Sequence, residues 1–257
     1  MLLLCIISII FFTGYIQGSK DPTSRIAGGY EVNIEDYPYV VSIHVDTGIE
    51  LKFNCGGSLI SPQFVLSAAH CFPKTVHYYV VKAGTDRLEG PGGRTERVTS
   101  VKKHPKYGLN WMDSDIAVAK LKKPMVLSEK INIVKLPSFS KDVPLTEGTV
   151  LGWGRRGLLF EDSEYLRAVD LPIIDEEECV RSHSRRTITK RMFCTKLVCG
   201  YKTPCQGDSG GPFVINGTVY GVVSWGGGCD EYPYLPAVFT RVPYFVDFIN
   251  KSLSEDF

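Results

Sequence analysis

Pro212-Phe213-Val214-Ile215-Asn216-Gly217-Thr218-Val219-Tyr220-Gly221-Val222-Val223-Ser224-Trp225 is the stretch on which the fold turns. Two apolar runs of strand length flank Asn216-Gly217, a pair that readily adopts the positive φ angles of a tight hairpin turn. In the second run Thr218, Tyr220, Val222 and Ser224 alternate with Val219, Gly221 and Val223, which suits a half-buried strand. Similar runs lie at Tyr39 to Val45, Ser58 to Leu66, Ile116 to Leu121 and Thr149 to Trp153, punctuated by glycine, proline and asparagine. Many short strands separated by turns predict an all-β sandwich or barrel. One segment reads well as a helix, at the C-terminus. There Val242, Phe245, Val246, Phe248 and Ile249 share a face, with Asp247, Asn250 and Lys251 mostly elsewhere. Leu121 to Ser138, with Pro124 and Pro137, is the expected connection between two halves.

The chain has 257 residues, 44% of them hydrophobic, an ordinary globular composition. Its formal net charge is +1; beyond residue 25 it carries 27 basic and 27 acidic side chains and sums to zero. That balance offers no electrostatic case for nucleic acid or an anionic membrane. Met1 to Phe12 is uncharged and apolar, too short to span a bilayer and of the length of a signal-peptide core. We expect residues 1–18 to be a signal peptide, and the mature protein to be secreted, extracellular and off the membrane.

The cysteines agree with an oxidising compartment. Eight are present: Cys5, Cys55, Cys71, Cys179, Cys194, Cys199, Cys205 and Cys229. Loss of Cys5 with the signal leaves an odd number, and spacing alone assigns no partners. No CxxC or HxxxH pair appears, so zinc is not expected.

Three segments carry chemistry. In Gly207-Asp208-Ser209-Gly210-Gly211-Pro212 the flanking glycines let a carbonyl approach a serine closely. The amides of Gly207 and Ser209 could face an oxyanion. In Ser67-Ala68-Ala69-His70-Cys71, small residues let an imidazole stand at a cleft wall. His44, His77, His104 and His183 read as structural. In Asp113-Ser114-Asp115-Ile116-Ala117, a carboxylate at a strand start could orient that imidazole. Asp115 borders the apolar run directly; Asp113 is the alternative.

Together these motifs resemble the trypsin/chymotrypsin-like serine proteases, in the same His, Asp, Ser chain order. The likeness extends through Arg25-Ile26-Ala27-Gly28-Gly29, Cys55-Gly56-Gly57-Ser58-Leu59-Ile60, Gly152-Trp153-Gly154 and Val223-Ser224-Trp225-Gly226. It implies two antiparallel Greek-key β-barrels packed face to face with a C-terminal α-helix. The N-terminal barrel would occupy roughly 26–130, and the C-terminal barrel and helix roughly 131–257. It assigns His70, Asp115 and Ser209 as catalytic, Gly207 and Ser209 as the oxyanion hole, and Ser224, Trp225 and Gly226 as the strand that pairs with substrate. Residues 19–25 become a propeptide released by cleavage between Arg25 and Ile26. The new ammonium of Ile26 would then pair with Asp208.

The resemblance further pairs Cys55 with Cys71, Cys179 with Cys194 and Cys205 with Cys229, and leaves Cys199 over. A further bridge of some relatives is absent, its positions falling on Gly148 and Ile215. Relatives that cut after Lys or Arg carry an aspartate six residues before the nucleophile; here that position is Thr203. With Gln206, Gly226 and Ala237 nearby, a neutral pocket implies a chymotrypsin-like preference for large apolar side chains. The alternatives are elastase-like preference, or basic specificity restored by Asp230 or Glu231. A neutral pocket also calls for a separate trypsin-like activator. Partners implied are protein or peptide substrates and protein protease inhibitors, with a monomeric enzyme. The region Thr85 to Glu96, where some relatives hold calcium, looks short and glycine-rich, so neither metal nor other cofactor is expected. Asn216-Gly217-Thr218 and Asn250-Lys251-Ser252 match the N-glycosylation pattern. The rival reading is a non-catalytic binding module on the same fold.

Overall fold

A computed structural model describes residues 29–138, 142–155, 162–196, 203–226 and 235–254. The expected cleavage point Arg25-Ile26, the signal and propeptide segments, Cys199, Cys229, Asp230 and Glu231 lie outside the described residues. None of the helices among them is long and apolar enough to cross a membrane.

The protein is built mostly of antiparallel strands. These are β1 (Tyr30–Glu31), β2 (Val40–Asp46), β3 (Leu51–Ser61), β4 (Phe64–Ser67), β5 (Tyr79–Ala83), β6 (Arg94–Lys103) and β7 (Ala117–Leu121) in the first half of the chain. The second half holds β8 (Glu147–Gly152), β9 (Arg167–Pro172), β10 (Met192–Cys194), β11 (Pro212–Ile215), β12 (Thr218–Gly226) and β13 (Ala237–Arg241). Strands β2-β3-β4-β7-β6-β5 close into a barrel, which removes its own edges. The other seven form one sheet in the order β1-β9-β8-β11-β12-β13-β10. A bridge between Ile173, just past β9, and Thr195, just past β10, draws this sheet round on itself. Inside it Phe193, Phe213 and Phe239 pack ring against ring with centroids 5.1–5.2 Å apart. The architecture is that of the chymotrypsin fold.

The Asn216-Gly217 turn has φ of 48° and 73°, the left-handed geometry that such a hairpin needs. Elsewhere the run Ser58 to Leu66 proves to be two strands, because Pro62 and Gln63 turn the chain between β3 and β4. Residues 30–31 precede the closed barrel in sequence yet pair with β9 of the other sheet. Arg167, 1% exposed, fixes them by donating from Nη2 to the Gly29 carbonyl at 2.6 Å and from Nη1 to Glu31 at 3.2 Å. The C-terminal segment begins as a 3₁₀ turn at Val242–Phe245 and continues as α2 (Val246–Ser254). A shorter helix, α1 (Glu176–Ser182), starts where the Asp175 side chain accepts from the Glu178 amide.

The two halves meet closely at glycines. A Cβ on Gly56 of β3 would stand 3.0 Å from the Gly211 Cα, and one on Gly210 would overlap Ser67 Oγ. Across this seam the Gly56 amide donates to the Ser209 carbonyl at 2.8 Å.

Candidate active site

The candidate residues come from both halves and converge at the seam. His70 sits in a 3₁₀ turn, Ala69–Cys71, immediately after β4. The turn is anchored by the disulfide from Cys71 to Cys55 on β3. Asp115 lies just before β7, following Ser114, whose φ is 57°. The Asp115 side chain is fully buried and that of His70 is 24% exposed. Asp115 Oδ2 lies 2.7 Å from His70 Nδ1, and Oδ1 accepts the His70 amide at 2.9 Å. With the ring proton on Nδ1, the opposite nitrogen is left as an acceptor facing away from the acid.

The same carboxylate is held from the other half. Ser224 Oγ on β12 donates to Asp115 Oδ2 at 2.6 Å, and Thr240 Oγ1 on β13 donates to the Asp115 carbonyl at 2.7 Å. Nothing in the local sequence around Thr240 marks it as a partner, since the two residues lie 125 positions apart.

Asp113 points elsewhere. Its carboxylate receives Nε and Nη2 of Arg191, at 2.9 and 2.5 Å, and Thr189 Oγ1 at 2.8 Å. Burial raises its pKa, but the Arg191 and Thr189 hydrogen bonds outweigh that and hold it below the usual carboxylate range. Asp113 therefore ties the segment before Asp115 to the loop before β10.

Ser209 precedes β11, in a loop whose neighbours fix its backbone. Gly210 donates to the Val223 carbonyl at 2.8 Å and Gly211 to the Asp208 carbonyl at 2.9 Å. Gly207 has φ of 94°, a conformation that only glycine adopts without strain. Among the described residues, neither the Gly207 nor the Ser209 amide is taken up by a protein acceptor. Nor is there a hydrogen bond from Ser209 Oγ to His70 Nε2, a contact that often tightens only when substrate is present.

Asp208 is buried beneath this loop. Its two oxygens accept the amides of Gly154 and Cys205, each at 2.8 Å. Burial pushes its carboxyl up to about 6.

Beside the loop, Thr203 is 2% exposed, Ser224 and Ala237 are buried, and Gln206 is exposed. Gly226 pairs with Ala237 across β12 and β13. Its φ is 135°, and a Cβ there would stand 2.8 Å from the Pro236 carbonyl oxygen. Trp225 packs on Trp111 and His183.

Cys179 is bonded to Cys194, and Cys205 is disulfide-bonded too. Cys55, His70 and Cys71 cluster closely enough to suggest a metal site, but their two sulfurs are bonded to each other and offer no thiolate. Asn216 is exposed at its hairpin tip. Asn250 is exposed on α2, while Ser252 is buried with its hydroxyl donated to the Phe248 carbonyl at 2.8 Å.

The family model described as "Trypsin" matches residues 26–249. The chain is 39% identical over 233 residues to "Trypsin 5G1" of Aedes aegypti, covering 89% of this chain and 85% of that protein. It is 35% identical over 255 residues to "Trypsin V-A" of Rattus norvegicus, covering 98% and 99%. Against "Trypsin" of Phaedon cochleariae it is 35% identical over 260 residues, covering 97% and 96%.

Proposed function

Because the chain belongs to the trypsin family and is a serine endopeptidase, we propose that Ser209 is its nucleophile, His70 its general base and Asp115 the acid that orients the imidazole. The observation that carries this reading is the His70 Nδ1 to Asp115 Oδ2 contact of 2.7 Å at the seam beside the Ser209 loop. Ser209 Oγ bonds to the scissile carbonyl carbon as its proton passes to His70 Nε2. The free amides of Gly207 and Ser209 receive the oxygen as it becomes negative. His70 then gives the proton to the leaving amine, the C–N bond breaks, and water cleaves the acyl-enzyme by the same route.

Secretion behind a signal peptide, and activation by cleavage between Arg25 and Ile26, complete the proposal. The Ile26 ammonium would neutralise Asp208, whose burial otherwise opposes its charge. A buried threonine at position 203 supplies a hydroxyl and no carboxylate, which supports a pocket for large apolar side chains. Such a pocket does not fit Arg25, so a separate trypsin-like protease acts as activator. We expect the active enzyme to be a monomer.

The test begins with protein cut at Arg25 by added trypsin. Organophosphate labelling that requires Ser209, and is lost in Ser209→Ala, supports the assignment; a labelled Ser209→Ala protein refutes it. A peptide library then reads specificity. Cutting after Phe, Tyr, Leu or Met supports the neutral pocket. Cutting after Lys or Arg overturns it and sides with the names of the relatives.

A further inference from the structure

One indole stands on each side of Asp115 along the chain. Trp225 directly follows Ser224, the residue that hydrogen-bonds Asp115, and Trp111 lies shortly before the same acid. The rings meet edge to face with centroids 4.7 Å apart. Trp111 is 50% exposed and has φ of 41°, an unusual angle for a bulky residue. Trp225 is braced from the other side by His183, at 5.0 Å, whose own ring is fixed by Nε2 against the Pro236 carbonyl at 3.0 Å.

Arg186 lies over this pair. Its guanidinium carbon is 4.3 Å from the Trp111 centroid and 5.4 Å from that of Trp225. The rings hold the cation flat without neutralising it. Asp113 pairs with Arg191 and Glu177 with Arg181, not with Arg186. Among the described residues Arg186 has no carboxylate partner, and Arg185 and Lys190 add positive charge to the same loop.

The box also borders a strand edge that is open among the described residues. Trp225 and Gly226 pair on one side with Val238 and Ala237 of β13. On the other side, pairing with β11 ends at Val222. An extended peptide can add to that free edge, which sets its side chains beside the residues flanking it.

We propose that Trp111, Arg186 and Trp225 form a subsite that binds a carboxylate side chain of the substrate on the acyl side of the scissile bond, so that this enzyme favours acidic residues there. The inference rests on the endopeptidase reading above. A planar guanidinium held by two rings is preorganised for a carboxylate fork. An exposed pair of this kind gives a preference of about 5-fold, weakened by salt.

The test uses protein cut at Arg25 with its active sites counted by organophosphate. Quenched-fluorescence peptides keep one residue in the pocket and vary Glu, Ala and Lys at each of the three preceding positions. At one position Glu should exceed Ala by about 5-fold in kcat/KM, with Lys poorest, and the contrast should shrink in high salt. Arg186→Glu should reverse the order within its own peptide set, and Trp111→Ala should flatten it. Equal rates for the three peptides in an otherwise active enzyme overturn the subsite, as does an acidic preference that Arg186→Glu leaves intact. Protein that neither labels nor cuts any peptide overturns the endopeptidase reading, a result distinct from either.

Discussion

Asp208 allows a quantitative test of how this chain is held before and after cleavage. Burial raises its carboxyl from 3.8 to about 6 in the folded chain, against two favourable amide contacts. A carboxyl with a raised folded pKa binds its proton more tightly when native than when unfolded. Its contribution to stability is therefore complete below about pH 4 and is lost as the pH climbs through about 6. The gap corresponds to about 3 kcal/mol at neutral pH. Urea unfolding of uncut Ser209→Ala protein, followed from about pH 4 to about pH 7, should show that loss relative to the same protein carrying Asp208→Asn. The asparagine has its own cost, because its amide nitrogen cannot accept the second N–H. That cost does not titrate and drops out of the slope. If cleavage at Arg25 lets the Ile26 ammonium pair with Asp208, as proposed, the loss should vanish in the cut protein. Parallel curves for the two uncut proteins would refute the reasoning, since the buried carboxylate would then already be neutralised in the precursor.

Other changes probe the seam and the pocket wall. Asp115→Asn should lower kcat by about 10⁴-fold at neutral pH by fixing the wrong imidazole tautomer, measured per titrated active site. Arg191→Met leaves Asp113 buried without its cation. With Arg191 itself a third exposed, the cost should be about 2 kcal/mol, less than for a fully buried pair, and Asp113→Asn in the same chain should recover part of it. Gly226→Ala forces a side chain into φ of 135° and against the Pro236 carbonyl, so we expect about 1–3 kcal/mol lost in denaturant unfolding together with slower cleavage of bulky peptides.

The hairpin at Asn216-Gly217 was legible because its turn demands a particular backbone geometry that few residue pairs supply. The run Ser58 to Leu66 misled because periodicity does not mark a turn at Pro62 and Gln63. Strand β6 left little trace: most of its side chains are exposed or half-exposed, and its identity comes from pairing with β5 and β7. The helix α1 is a single capped stretch of seven residues, too short to build a periodic pattern. At the candidate site, the residues His70, Asp115 and Ser209 each sat in a readable motif. Sequence left Asp113 as an alternative to Asp115; in the structure it is Asp115 whose carboxylate meets the imidazole, while Asp113 meets Arg191. Thr240, Arg191, Trp111 and Arg186 act through neighbours remote in sequence, so no local pattern could single them out.

The seam between the halves carries one more consequence. His70 and Asp115 ride on the closed barrel, whereas Ser209, Ser224 and Thr240 ride on the other sheet. On the proposed assignment, a slight slip along this joint carries the Ser209 alcohol away from the His70 imidazole while both sheets keep their ladders. Warming should therefore extinguish turnover before the far-ultraviolet circular dichroism fades, and prompt cooling should bring it back.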